Sequence, residues 1–275
     1  MVETFLKTTF RRYLSPKIGE FAASGTICTD AYVFLNNLLG SSIPDNEWSD
    51  YLEEWKKLNY GLSQRKINSL HSAGNATKYL GYDSDLSNVL VIYILARLVK
   101  PKVIVETGVA NGVSTYFLLN AIKYNDCGKL YSIDVSQDVG SILSINERVG
   151  WNLIILDSIN AKGLRRKLSF LDNIDLFIHD SDHSYKWQKL EYSLALEKMA
   201  QQSFLLSDDV DSSYAFMDTF KGGARVQVQY SPSPKNNYYN LIPVTIPYLL
   251  PSTIKKLMNH LYWNLYPPLD HIFLL

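Results

Sequence analysis

The chain has 275 residues, 47% of them hydrophobic, enough to bury a core in one large domain or one domain with an appendage. Twenty-seven basic residues balance twenty-seven acidic ones, so the formal net charge is zero and a general basic footprint for nucleic acid is excluded. The two cysteines, Cys28 and Cys127, match no metal-ligand or redox spacing and provide no disulfide framework, which points to a reducing, cytoplasmic setting.

The first residues, Met1 to Lys7, contain an early acid, Glu3, and no long apolar run, so a secretory signal is not expected. Residues 1–85 show no strand alternation and several helical segments, including Asp45–Leu58, where Trp48, Leu52 and Trp55 share one face. They read as a helical N-terminal extension or cap. The run Val89–Ala96 is apolar but falls well short of the ~20 residues that span a bilayer.

From about Lys100 short apolar runs alternate with helical patterns, which predicts a doubly wound, Rossmann-like, mostly parallel sheet over residues 86–248. The predicted strands are Val103–Glu106, Lys129–Asp134, Asn152–Leu156, Asp175–His179 and Phe204–Ser207. The predicted helices are Gly112–Tyr124, Gln137–Val149, Ala161–Leu171, Tyr185–Ala200 and Ser212–Phe220. The triplet Arg165-Arg166-Lys167 reads as a solvated helix face, and no nucleic-acid partner is expected. Beyond Gly222-Gly223, the segments Ala224–Tyr230 and Asn237–Thr245 flank a Pro/Ser/Asn loop, which predicts a hairpin and antiparallel last strands. In the tail, residues 249–275, Ile254, Leu257, Met258, Leu261, Tyr262 and Leu265 fall at helical spacing. The tail is expected to pack back on its own domain, with a homo-oligomer contact or a peripheral membrane contact as alternatives.

Glu106-Thr107-Gly108-Val109-Ala110-Asn111-Gly112-Val113-Ser114 follows the first strand and opens a helix, the context that makes a glycine pattern a binding motif. Gly108 permits a tight turn and Gly112 a close approach to the helix start. The G-x-x-x-G spacing is not that of dinucleotide binders. Glu106 is expected to face the crevice and to suit a cationic or hydroxyl-bearing ligand better than phosphate. Asp134, closing the second strand, can accept from ribose hydroxyls or cap the following helix. Asp157, after the third strand, can accept from an exocyclic amine such as that of adenine, or serve as an N-cap.

The most acidic features end the fourth and fifth strands: Ile178-His179-Asp180-Ser181-Asp182-His183 and Leu206-Ser207-Asp208-Asp209-Val210-Asp211. Strand carboxyl ends carry the ligand site of an open α/β sheet, and clustered carboxylates require a shared cation or proton. A divalent metal is the simplest candidate. The competing reading makes Asp180 and Asp182 turn residues and Asp208-Asp209 the cap of the next helix. His179, on the buried strand, reads as a structural histidine.

The E-x-G-x-x-x-G-x-S run, Asp134, Asp157, the D-L-F-I-H-D-S-D-H-S-Y segment and L-S-D-D together resemble class I S-adenosylmethionine-dependent methyltransferases. The resemblance covers roughly residues 80–245 and is to the metal-dependent small-molecule and sugar O-methyltransferases, including the macrolide and aminocoumarin sugar enzymes. It implies a seven-stranded sheet with an antiparallel last strand. It also implies that Glu106, Gly108, Asn111, Gly112 and Ser114 form the cofactor loop, with Glu106 and Gly108 against the methionine part. Asp134 would then hold the ribose, with Asp157 and Ser158 near the adenine. Asp180, Asp208 and Asp209 would hold a magnesium-type ion, and Asp182 matches the general-base position of some members.

The bare chemistry leaves the base open between Asp182 and His183, because the histidine has the pKa better suited to neutral pH. The expected reaction is O-methylation of a small-molecule hydroxyl. Covering elements from residues 1–85 and the Ser231–Tyr239 loop suit a sugar or a polyhydroxylated or aromatic acceptor. Rival readings are a sugar-nucleotide enzyme, which lacks its phosphate-cradling glycines here, and an inactive cofactor-binding protein on the same fold.

Overall fold

The computed structural model describes residues 26–28, 30–71, 83–84, 86–157, 160–220, 227–230 and 238–242. Ser158, most of the loop 231–239 and the tail 249–275 lie outside the described residues. Five parallel strands form the centre: β2 (Val103–Thr107), β3 (Lys129–Asp134), β4 (Trp151–Ile155), β5 (Ile174–His179) and β6 (Met199–Asp208), in the spatial order β6-β5-β2-β3-β4. Strand order reverses beside β2, and the ligand crevice of such a sheet lies at that reversal.

Alternation along these strands divides the core into two layers. Ile104, Leu130, Leu176 and Leu206 point to one face, where they meet helices α1 (Ala31–Leu39), α2 (Asp45–His71), α3 (Leu86–Val99) and α4 (Val113–Asn125). Val105, Ile133, Phe177 and Leu205 point to the other, against α5 (Ala161–Leu168), α6 (Tyr185–Leu196) and α7 (Ala215–Thr219). Burial on both faces explains why the strands read as continuous apolar runs.

The N-terminal helices join the first layer. α1 is capped by Asp30, whose carboxylate accepts from Val33 N at 2.9 Å, and it ends at Gly40 in the left-handed region (φ 70°). α2 packs through Trp48, Tyr51, Trp55 and Leu58, so the buried stripe steps by three and four residues and bypasses Leu52. None of the described helices is long and apolar enough to cross a membrane.

Three short strands extend the sheet beyond β6. β8 (Tyr238–Ile242) pairs antiparallel with β6 and with β7 (Gln227–Tyr230), and β1 (Thr26–Cys28) pairs parallel with β7. The sheet of described residues therefore has eight strands, and the additional one comes from a region in which no strand is predicted.

One predicted element is absent. Residues 137–149 form a series of turns, not a helix. Gly140 takes φ +71°, and a Cβ there would lie 2.7 Å from the Trp151 ring. Backbone N–H groups that a helix would use internally go elsewhere: Gly140 N donates to Ala110 O (2.9 Å) and Ile142 N to Asn111 O (3.2 Å). The apolar spacing of Val139 and Leu143 survives because both are buried, while Ile145 and Val149 are exposed.

Candidate active site

The end of β2 is built around a buried acid. Glu106 accepts hydrogen bonds from Thr115 Oγ1 (2.5 Å) and Ser132 Oγ (2.5 Å) on one oxygen and from Ser114 Oγ (3.0 Å) on the other. Its carboxylate is enclosed by these hydroxyls and is not presented to the crevice as the sequence predicts. Ser114 is likewise turned inward to Glu106. Burial pushes Glu106 up to about 7, against the three hydroxyls that favour its charge.

Two residues on, the chain makes its tightest crossing. Gly108 takes φ +83°, and a Cβ on it would sit 1.8 Å from the carbonyl oxygen of Asp180. Asp180 N donates to Thr107 O at 2.9 Å, so the loop after β2 and the loop after β5 touch through their backbones. Only glycine permits that contact.

Asp134, at the end of β3, accepts Val109 N on one oxygen and Ser136 N on the other, both at 2.9 Å. It fastens the loop after β2 and the turn after its own strand, and no helix follows for it to cap. Asn111 is buried and accepts from Ser141 Oγ at 3.0 Å. Gly112 takes φ +92° at the start of α4, and a Cβ there would stand 2.9 Å from the Gly140 Cα. Asn111 and Gly112 thus dock the turns 135–150 onto the loop. Arg65 of α2 holds the far end of those turns through Glu147 (2.7 Å). Asp157 is exposed beside Arg166 at 3.4 Å, and Asn160 occupies the N-cap of α5 that Asp157 was a candidate for.

The acidic ends of β5 and β6 converge. Asp180 and Asp208 are in side-chain contact, a geometry that needs a shared proton or a cation. Burial, with repulsion from Asp209, pushes Asp180 up to about 7, and Asp208 is driven well above the usual carboxylate range by burial and by both neighbours. Asp211 is also raised to about 7 by burial and by Asp209. Asp209 takes φ +46° and makes no side-chain capping bond to the 3-10 turn Val210–Ser212, so the cap reading fails for it. Among the described residues, no group of three or more His, Cys, Asp or Glu side chains has the arrangement of a metal site.

The two candidate bases differ in orientation. Asp182 is exposed, and its carboxylate accepts Ser184 N at 2.8 Å, a local turn bond. His183 places Nε2 at 3.7 Å from Asp209 and 4.0 Å from Asp180, among the carboxylates but beyond hydrogen-bond reach. Burial pushes His183 down to about 4, which leaves a neutral imidazole at neutral pH.

Two residues missed by sequence reasoning complete the site. Ser84, from the segment before α3, donates to Asp180 Oδ2 at 2.7 Å, and no pattern in the chain marks it. Glu191 on α6 is buried and accepts from His179 Nδ1, Thr107 Oγ1, Ser181 Oγ and Trp187 Nε1. Its signal was available: an acid four residues after Trp187, in the buried stripe that runs on through Leu194 and Ala195.

The sequence pattern of a methyltransferase-domain family matches residues 105–210, the span from β2 to the turn after β6. No curated protein matches the chain. Among solved structures, the fold is similar to a Klebsiella pneumoniae protein described as an O-methyltransferase (14% identity, 66% of this chain and 89% of that one, TM-score 0.52). It is also similar to the O-methyltransferase TomG of Streptomyces achromogenes, involved in tomaymycin synthesis and solved with S-adenosylmethionine (15% identity, 67% and 89% covered, TM-score 0.51). A third likeness is to cofactor-bound Rv0187 from MTB (12% identity, 79% and 97% covered, TM-score 0.50). At these identities the likeness is one of fold.

Proposed function

We propose that this chain is a class I S-adenosylmethionine-dependent methyltransferase, a reading that the methyltransferase-domain match over residues 105–210 supports, and that it methylates a hydroxyl group of a sugar or another small molecule. The crossing of Gly108 over Asp180 carries this reading. It brings the cofactor loop and the acidic cluster to one sheet edge, where a methyl donor and a hydroxyl acceptor can meet. A seven-stranded order with an antiparallel last strand belongs to the same proposal, supported by the pairing of β8 with β6.

S-adenosylmethionine, when bound, supplies an electrophilic sulfonium methyl. The loop Gly108–Gly112 and Asp134 are the cofactor-facing elements, with Asp157 and Ser158 assigned to the adenine side. Glu106 and Ser114 shape that loop from within. Asp180, Asp208 and Asp209 are the residues that would hold a divalent ion such as magnesium, which orients and acidifies a bound hydroxyl. The donor chemistry is that of a hard cation, carboxylate oxygens alone, with Asp180 and Asp208 in side-chain contact, although the three side chains do not stand in the arrangement of a metal site. With S-adenosylmethionine bound, His183 would be the group that accepts the proton of the acceptor hydroxyl. Its ring faces the cluster, whereas Asp182 is engaged by Ser184. The proposed acceptor is a small molecule, and the proposed setting is the cytoplasm, a reading that Cys28 and Cys127, which provide no disulfide framework, support.

Titration calorimetry with S-adenosylhomocysteine, followed by transfer of a tritiated methyl group to a panel of sugars and phenols with and without chelator, tests the proposal. Binding followed by chelator-sensitive transfer is expected. Binding without transfer to any hydroxyl compound would instead leave a cofactor-binding protein. Unchanged turnover in Asp208→Ala and Asp209→Ala would remove the metal site.

A further inference from the structure

We infer that Glu191 is a positioning residue that locks the cofactor loop after β2 to the acidic loop after β5; the inference rests on the methyltransferase reading for what those loops bind. Each oxygen of Glu191 serves two donors. One accepts from Trp187 Nε1 (2.7 Å) and Ser181 Oγ (2.9 Å), the other from Thr107 Oγ1 (2.6 Å) and His179 Nδ1 (2.5 Å). His179 and Ser181 flank Asp180, and Thr107 precedes Gly108. One carboxylate on α6 therefore grips both sides of the backbone crossing.

The bonding also orients the histidine. An indole N–H can only donate, and the two hydroxyls are turned toward Glu191, so the carboxylate accepts at both oxygens. The ring proton of His179 therefore sits on Nδ1. Its Nε2 is buried with no hydrogen-bond partner among the described residues, and so is Nδ1 of His183. The two rings stand edge to face, 5.5 Å between centroids. Turning the His179 ring would disturb the ring that faces Asp180 and Asp209.

A residue that only docks α6 on the sheet is served by any group of the same shape. A positioning residue needs all four acceptances, and glutamine cannot supply them. In Glu191→Gln the amide nitrogen cannot accept from Trp187, whose N–H lies 2.7 Å from the carboxylate and only 3.1 Å from its other acceptor, Ser181 Oγ, so an NH2 group on that side would confront the indole N–H and the amide oxygen takes the Trp187 and Ser181 side. The NH2 group then confronts Thr107 and His179, and the His179 proton must move from Nδ1 to Nε2.

The test uses the full chain with 15N-labelled histidine, read by 1H–15N NMR without ligand, and S-adenosylhomocysteine as the calorimetric probe. Expected are an Nδ1-bound proton on His179 in the wild type, its loss in E191Q, and about ten-fold weaker binding of the probe in E191Q. Thr107→Val should weaken the probe in the same direction while keeping the Nδ1 proton. Thr107→Ser should bind within about two-fold of the wild type, the hydroxyl being retained. If E191Q fails to fold, the Thr107 pair carries the test. An unchanged Nδ1 signal in E191Q, or equal probe affinity in E191Q or T107V and the wild type, overturns the inference. A wild type that binds no probe defeats the methyltransferase reading instead, and the His179 signal still reports on Glu191 because it needs no ligand.

Discussion

Neighbouring strands of this sheet end in buried or half-buried acids that are treated in opposite ways. At the end of β2, Glu106 is wrapped by three hydroxyls, one of which, Ser132, also accepts from the Trp151 indole at 2.7 Å. At the ends of β5 and β6, Asp180, Asp208 and Asp209 face one another, with Ser84 as an outside donor to Asp180. A carboxylate surrounded by donors is a construction element. Carboxylates set against each other repel unless they share a proton or a cation. Acidity at a strand end is thus ambiguous until its neighbours are known.

The sharpest way to break the comparison is at the point where the two ends touch. Gly108→Ala places a methyl group on the Asp180 carbonyl and on a backbone at φ +83°. A loss of about 4 kcal/mol or more is expected in urea denaturation, with loss of S-adenosylhomocysteine binding. Near-wild-type stability would show that the loops do not cross as described.

A smaller effect sharpens the β2 side. The folded protein raises Glu106 from an ordinary 4.5 to about 7, so it holds a proton that the unfolded chain has released. The stabilisation tied to that proton is complete below about pH 4.5, falls as pH rises, and is gone above about pH 7. The wild type should lose roughly 3 kcal/mol relative to Glu106→Gln across that window. The difference between the two proteins is the quantity to measure by denaturation, because Asp180 and Asp211 slope the same way in both. A flat difference would show that Glu106 stays charged within its hydroxyl cage.

The smallest effect probes the acidic side. Saturating magnesium or manganese, at about one hundred times its dissociation constant, should stabilise the wild type by about 2.7 kcal/mol in a thermal shift. Asp208→Asn should be more stable than the wild type without the ion and should gain little from it. Equal gains in both proteins would place any ion elsewhere.

Periodicity was enough to locate the five central strands along the chain, and strand-end chemistry to single out the loop after β2 and the acids as candidates, whereas the order of the strands in the sheet came from the structure. Two-sided burial imposes continuous apolar runs, and ligand groups gather at carboxyl ends. The turns 137–149 escaped because Val139, Leu143 and their neighbours mimic a helical face, while Gly140 is claimed by Trp151 and the loop after β2. Asp157 does not cap α5 because Asn160 takes that position.

The residues alone could say that carboxylates stand at these strand ends, since that follows from local order along the chain. They could not say which are satisfied. That depended on side chains distant in sequence: Ser132 and Thr115 on Glu106, Ser84 on Asp180, and Glu191 on Thr107 and His179. Hydrogen bonding of a buried acid is a property of its three-dimensional surroundings. Packing therefore determined which acids are satisfied by hydrogen-bond donors and which are set against each other.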